Sequence, residues 1–340
     1  MARDMKIGLQ LGYWGSHPPK DLLGMVTEAE RMGYDSVWTA EAYGSDALTP
    51  LAYIAGHTSK IRLGTGIVQM SARTPTATAM AALTLDHLSG GRMMLGLGVS
   101  GPQVVEGWYG QPFAKPLART REYVSIVKQV LAREEPVTNA GPHYPLPYGG
   151  SNATGLGKPL KSITHPLRPD LPVFLGAEGP KNVALAAEIC DGWIPLWYAP
   201  TREEVYADSL VHAKPDFDIV VPVTIHVTDD LNAAYDAMRP ALGFYIGGMG
   251  AKDRNFHKEL MGRMGYPAEA QKIQDLFFEG KRGEAIAAVP NAFIDDIALV
   301  GSKERIRDRL AAWKESKART LLVHAPNPEA LKKIADVVMG

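Results

Sequence analysis

Eight short, mostly apolar runs that alternate with helical patterns constrain this chain more than any other feature. They are "MKIGLQLG" (5–12), "DSVWTAE" (35–41), "KIRLGTGIV" (60–68), "RMMLGLGVS" (92–100), "PVFLGA" (172–177), "GWIPLW" (192–197), "DIVVPVTIHV" (218–227) and "RTLLVHA" (319–325). Near-continuous apolar runs belong to strands buried on both faces, which are parallel strands covered by helices. Helical patterns over 19–33, 48–59, 76–88 and 117–132 separate the first runs. In the earliest of these Leu22, Leu23, Val26 and Ala29 form the apolar stripe, and Gly33 stops the helix. Eight βα units in 340 residues fit a closed (β/α)8 TIM barrel, of the α/β class, better than an open doubly wound sheet.

Two stretches break the rhythm. Residues 135–171, after strand four, are rich in Gly and Pro and carry no helical pattern, the signature of a functional loop or lid. Residues 229–316, between strands seven and eight, read as a mostly helical insertion. The expectation is therefore one domain, 1–340, with two insertions.

In such a barrel the site lies at the C-terminal ends of the strands. Those ends deliver Tyr13, Trp14 and His17; Glu41 and Tyr43; Thr65, Gly66, Ile67, Gln69, Ser71 and Arg73; Ser100, Gly101 and Gln103. They continue with the turn Gly176, Ala177, Glu178, Gly179, Pro180 and Lys181, then Trp197 and Tyr198, and finally His324 and Asn327. No His-x-His or His-x-x-x-His pair and no accompanying carboxylate cluster supports a metal site. There is no Gly-x-Ser-x-Gly elbow, and the single cysteine, Cys190, sits in an apolar helical run where a small buried hydrophobe is expected. Small, aromatic and polar residues suit a flat ligand that brings its own reactivity.

The turn "GAEGPK" is no Rossmann fingerprint, because Gly176 and Gly179 do not give G-x-G-x-x-G. With Pro180 at the first helical position it presents free N–H groups to an anion, near Lys181. It reads equally as a plain βα turn. Gly64 and Gly66 interrupt strand three, which marks either a ligand against backbone or room for a large neighbour. Glu41 is the acid/base candidate, with a capping carboxylate as the alternative.

Formal net charge is −1 with no block of like charge, which argues against nucleic acid or an anionic membrane as partner. The start "MARDMKIGLQLG" carries no signal-peptide pattern, and no long apolar span follows, so a cytoplasmic protein is expected.

Together "GYDSVWTAE", "KIRLGTGIV", "HLSGGRMMLGLGVSGPQVVEGWYG", "PVFLGAEGP", "DGWIP" and "LVGSKERIRDRLAAWKESKARTLLVHAP", in this order, resemble the luciferase-like superfamily. The branch they resemble is that of the actinobacterial coenzyme F420-dependent oxidoreductases. The resemblance implies hydride transfer between the deazaflavin and a small organic substrate. A strand-three bulge with a non-proline cis peptide would fall at Gly66–Ile67 and back the ring, and the Gly176–Gly179 N–H groups would hold the coenzyme phosphate. Thr65, Gly101, Gln103, Ala177, Glu178, Pro180 and Lys181 complete the expected cofactor contacts. Glu41 and Ser100 are the expected catalytic residues. Tyr13, Trp14, Trp108, Trp197, Tyr198 and His324 are the expected substrate contacts. Sugar-phosphate dehydrogenases of the family carry an Asp-His pair where this chain has Glu41 and Ala42, and a general-acid Glu near Ser100–Pro102, so that substrate is not implied. The rival readings are an FMN-dependent monooxygenase of the same superfamily, a non-catalytic flavin- or deazaflavin-binding protein, and a phosphate-gripping lyase or isomerase. Barrels of this kind are commonly homodimers.

Overall fold

Strand runs with no polar face can only sit between two apolar layers, and the computed structural model, which describes residues 5–249 and 255–340, builds them that way. The first half runs β1 (Lys6–Gly12), α1 (Leu22–Met32), β2 (Ser36–Thr39), α2 (Leu48–Ala55), β3 (Arg62–Thr65) and β4 (Val68–Gln69). It continues with α3 (Pro75–Ser89), β5 (Met93–Gly98), α4 (Pro102–Gly107) and α5 (Pro116–Ala132). Then come β6 (Val173–Gly176), α6 (Pro180–Ile189), β7 (Gly192–Ile194), two 3-10 turns over Pro200–Leu210, β8 (Asp218–Pro222) and β9 (Thr224–Val227). The remainder is α7 (Leu231–Gly248), α8 (Phe256–Arg263), α9 (Pro267–Phe278), α10 (Arg282–Ala287), α11 (Asn291–Ile297), β10 (Ala298–Gly301), α12 (Lys303–Glu315), β11 (Ala318–Val323) and α13 (Pro328–Val338).

The main sheet has the order β3-β2-β1-β11-β8-β7-β6-β5-β4, and β3 also pairs with β5, which closes it. β3 and β4 share one stave, interrupted at Gly66–Ile67. Leu63 pairs with Met93 below the interruption and Val68 with Leu97 above it. The barrel is thus the expected closed, parallel, eight-position one.

Its interior is filled by Trp38, Met94, Phe174, Ile194, Val220 and Leu322, with Ile67 packed on top. Trp38 and Phe174 meet edge to face, ring centroids 5.6 Å apart. Gly64 exists for this plug, because a Cβ there would come within 2.3 Å of the Trp38 ring. The helices end on local signals. Thr74 caps α3 ahead of Pro75, Ser302 caps α12, and Gly33 closes α1 at φ 87°.

The seventh run differs from its expectation. The run 218–227 is two strands: β8 stays in the barrel, and β9 leaves it to pair in parallel with β10, Thr224 opposite Ala298 through Val227 opposite Gly301. Residues 229–316 are mostly helical, as expected, with the strand β10 among the helices; of that range, 250–254 lie outside the described residues. The Gly/Pro-rich 135–171 stretch is fastened to the barrel's flank and base. Glu122 on α5 accepts from the Nδ2 of Asn139 and the N–H of His143 and Tyr144, and Arg168 clamps Asp86 and the Met93 carbonyl near the start of β5. Cys190 is buried and unpaired, and burial pushes its thiol up to about 12. Among the described residues no helix is long and apolar enough to cross a membrane.

Candidate active site

The wall of the mouth is set at the Gly66–Ile67 peptide, which is cis. The Gly66 N–H donates to the Thr39 carbonyl at 2.7 Å, and the Ile67 carbonyl accepts from the Glu41 N–H at 3.1 Å. The Ile67 side chain beds between two strands that have no Cβ at that level. A Cβ on Gly98 would lie 2.7 Å from it, and one on Gly176 3.0 Å.

Glu41 sits beside this wall, 6% exposed. Its Oε1 accepts from the Gln69 N–H at 2.8 Å and from Arg73 Nη1 at 2.7 Å, and its Oε2 accepts from the Ala47 N–H at 3.1 Å. Burial works to lower the Arg73 guanidinium, but the bond and charge of Glu41 outweigh it, so Arg73 sits above its ordinary value. Gln69 Nε2 donates to the carbonyls of Glu41 and Ala42, and Ala42 also accepts from the Tyr109 hydroxyl at 3.0 Å. Burial raises that hydroxyl, with the Glu41 charge adding to it.

Two staves along, beyond β5, β6 runs into α6 through the Gly-x-x-Gly-Pro turn. Gly179 caps the helix with no side-chain bond, and among the described residues the N–H groups of Glu178, Gly179 and Lys181 have no protein acceptor. That is the donor set an anion needs at a helix N-terminus. Ala177 is spent otherwise: its N–H points to the Ile194 carbonyl and its carbonyl accepts from Trp193 Nε1. The carboxylate of Glu178 lies 2.7 Å from Nδ1 of His257 on α8, a contact that becomes an ion pair when the imidazole is protonated. Sequence reasoning missed His257, because nothing in the chain signals that a helix some 80 residues on reaches this turn.

Other expected residues fall at the rim. Ser100 is half-buried in a left-handed conformation, φ 59°, ahead of Gly101 at the start of α4. Gln103 folds its Oε1 over Gly101. Tyr13 and Trp108 are 58% and 64% exposed, and Trp108 faces Tyr43 with ring centroids 6.4 Å apart. Trp14 donates its N–H to Ser45, which ties the β1 and β2 loops together. His324 is exposed just past β11, with Nδ1 3.4 Å from the Gln10 carbonyl. Lys181 is exposed on the first turn of α6, next to Pro180.

Three expectations are corrected. Tyr198 is not at the mouth: it stacks on Tyr206 at 5.7 Å, touches Trp313 and bonds Glu203, in the layer between barrel and helices. Trp197, expected as a substrate contact, is covered by Tyr245, His257 and Phe293 of the second insertion. The side chain of Thr65 is a cross-strand tie, its Oγ1 bonded to the Gly96 N–H and carbonyl and fully buried. Among the described residues no three His, Cys, Asp or Glu converge on a metal position.

A flat wall and a turn of free N–H groups lie two staves apart at one barrel mouth. Residues 6–320 match the model of the family described as luciferase-like monooxygenase. The chain belongs to the luciferase-like monooxygenase family. One family relative, from Mycobacterium tuberculosis, carries the provisional name coenzyme F420-dependent oxidoreductase; the two are 53% identical over 99% of this chain and 100% of that one. The 5,10-methylenetetrahydromethanopterin reductase of Methanolobus tindarius is 33% identical over 92% and 93%. In fold, the chain is similar to the coenzyme F420-dependent tetrahydromethanopterin reductase of Methanopyrus kandleri, with a TM-score of 0.78 at 21% identity and 99% of each chain covered.

Proposed function

We propose that this protein is a coenzyme F420-dependent oxidoreductase that passes a hydride between the deazaflavin and a small organic substrate. The reading rests on the Mycobacterium tuberculosis relative named for that coenzyme and on one structural observation. The Ile67 wall and the free N–H groups of Glu178, Gly179 and Lys181 give one mouth a ring-supporting face and an anion-binding turn two staves apart, as a ring system with a pendant phosphate requires. When bound, the coenzyme supplies the two-electron carrier.

The chain's own residues bind and orient. The Gly66–Ile67 backbone supports the ring, and the Glu178–Lys181 turn holds the phosphate. Ser100, Gly101 and Gln103 line the edge between them. Tyr13, Trp14, Tyr43 and Trp108 form an aromatic rim that suits an apolar substrate, and His324 is the exposed titratable group beside it. Glu41 is a positioning residue in this reading. Three donors already engage its carboxylate, and it fixes Gln69 and Arg73 behind the wall.

Fluorescence titration of the purified protein with oxidised coenzyme F420 and, separately, with FMN tests the proposal. Tight deazaflavin binding with weak FMN binding is expected. The reverse result moves the protein to the oxygen-using flavin branch of its family, and binding of neither removes the cofactor reading.

A further inference from the structure

Beside the mouth, just past the ends of β4 and β5, lies a cavity of about 240 Å³ that no role above uses. Ser71 and Arg73 from the strand-three loop, Val99 after β5, Val105 of α4, Arg119 of α5 and Tyr144 of the Gly/Pro-rich insertion line it. It is smaller than the roughly 300–1,000 Å³ of pockets that enclose a whole drug-sized ligand. Its size and polar lining suit a short acidic side arm.

Its polar groups are left short of partners. Arg119 is half-buried, spends Nε on the Ala114 carbonyl at 2.9 Å and bonds the Tyr144 hydroxyl. Glu122, one helical turn on and the natural mate for Arg119, is consumed by the insertion's Asn139, His143 and Tyr144. Among the described residues no carboxylate comes within ion-pair distance of Arg119. The Ser71 hydroxyl is buried with no hydrogen-bond partner, and an orphaned buried polar atom calls for one. Arg73 is already neutralised by Glu41 at 2.7 Å, so the cavity's uncompensated charge is the single guanidinium of Arg119.

We infer that this cavity binds one carboxylate on an aliphatic stem, held by Arg119 with Ser71 and Tyr144, its methylenes against Val99 and Val105. Arginine's planar fork matches a carboxylate in two parallel bonds. Such a group has two sources: the glutamyl tail of the coenzyme proposed for the mouth, or a carboxylate on the substrate itself. The inference rests on the deazaflavin reading only for the first source.

The test compares wild type, Arg119→Gln and Arg119→Lys. Each is titrated with the coenzyme carrying its glutamyl tail and with the coenzyme truncated before the first glutamate, and its melting temperature is measured with and without glutarate. Losing one charge-assisted contact is worth roughly tenfold in Kd. If the tail fills the cavity, wild type prefers the tailed form by about that factor. Arg119→Gln then loses the preference while keeping its affinity for the truncated form, and Arg119→Lys regains part of it. If no tail preference exists, but glutarate raises the melting temperature of wild type and not of Arg119→Gln, the carboxylate is the substrate's. Absence of both effects overturns the inference. Failure of wild type to bind either coenzyme form, with the Arg119-dependent glutarate effect intact, removes the mouth reading and leaves the carboxylate cavity standing.

Discussion

The two sides of the mouth are built by opposite means. The Ile67 side is held by short, local bonds. Thr39, Glu41, Gln69 and Arg73 lie within 35 residues of one another, and every bond among them reaches a buried backbone group or the single Glu41–Arg73 pair. The Glu178 side leans on α8, a helix of the second insertion, through one imidazole–carboxylate contact and the cover of Trp197. A surface fixed by its own barrel strands is pre-organised for ring orientation. A turn propped by a separate subdomain can follow movements of that subdomain.

Breaking the fixed side gives the largest effect. Arg73→Leu leaves the 3%-exposed side chain of Glu41 without its counter-charge, and loss of one partner of a buried pair costs about 3 kcal/mol. Thermal or urea unfolding should show that loss, and coenzyme titration a matching fall in affinity. Glu41→Gln keeps one acceptor oxygen, enough for the Gln69 N–H but not also for the Ala47 N–H, which meets the amide NH2; it leaves no buried charge on Glu41's side and should lose less. If Glu41→Gln abolishes turnover while stability and coenzyme affinity stay at wild-type values, Glu41 moves proton rather than holding structure.

The next effect separates wall from plug. Gly98→Ala sets a methyl 2.7 Å from Ile67, at the ligand face, whereas Gly64→Ala sets one 2.3 Å from the Trp38 ring, below it. Overpacking costs about 1–3 kcal/mol in either place. Coenzyme affinity should fall about tenfold more in Gly98→Ala than its stability loss explains, a difference of roughly 1.4 kcal/mol. Equal affinity losses in the two variants would mean that Ile67 does not form the ligand wall.

That pair of glycines also marks how far the sequence carries. The eight apolar runs located every barrel stave, because parallel strands leave no other place for such residues. "LGTG" alone did not say that Gly64 serves a tryptophan and Gly66 the mouth. The distinction depends on Trp38, which stands directly beside Gly64 on the neighbouring strand β2, a pairing the sequence does not show. Trp197 and Tyr198 are adjacent in one strand exit yet take different surroundings, since the β7 exit turns there and the insertion and α12 claim one ring each. Glu41 and Arg73 were both legible as mouth residues, but their pairing across 32 residues was not. The β10 run "ALVG" follows α11 with no turn residue between, so a four-residue apolar strand looked like the end of a helix. Arg119, three residues before Glu122, reads as half of an ordinary surface pair until the insertion takes Glu122 away.

The smallest effect belongs to the propped side and decides whether the contrast is real. His257 is mostly buried against Trp197 and Tyr245, so His257→Gln keeps much of the packing while removing the protonatable ring. A single, partly exposed ion pair is worth roughly 0–1 kcal/mol, so global stability should barely change. Hydrogen exchange gives the local readout. In His257→Gln the amides of 178–183 and 256–263 should exchange faster, while those of 66–70 keep wild-type protection. If protection around Ile67 falls along with that at Glu178, the mouth is one cooperative unit and the two sides do not move independently. If neither changes, the α8 contact does not prop the turn, and the barrel alone holds both sides of the mouth.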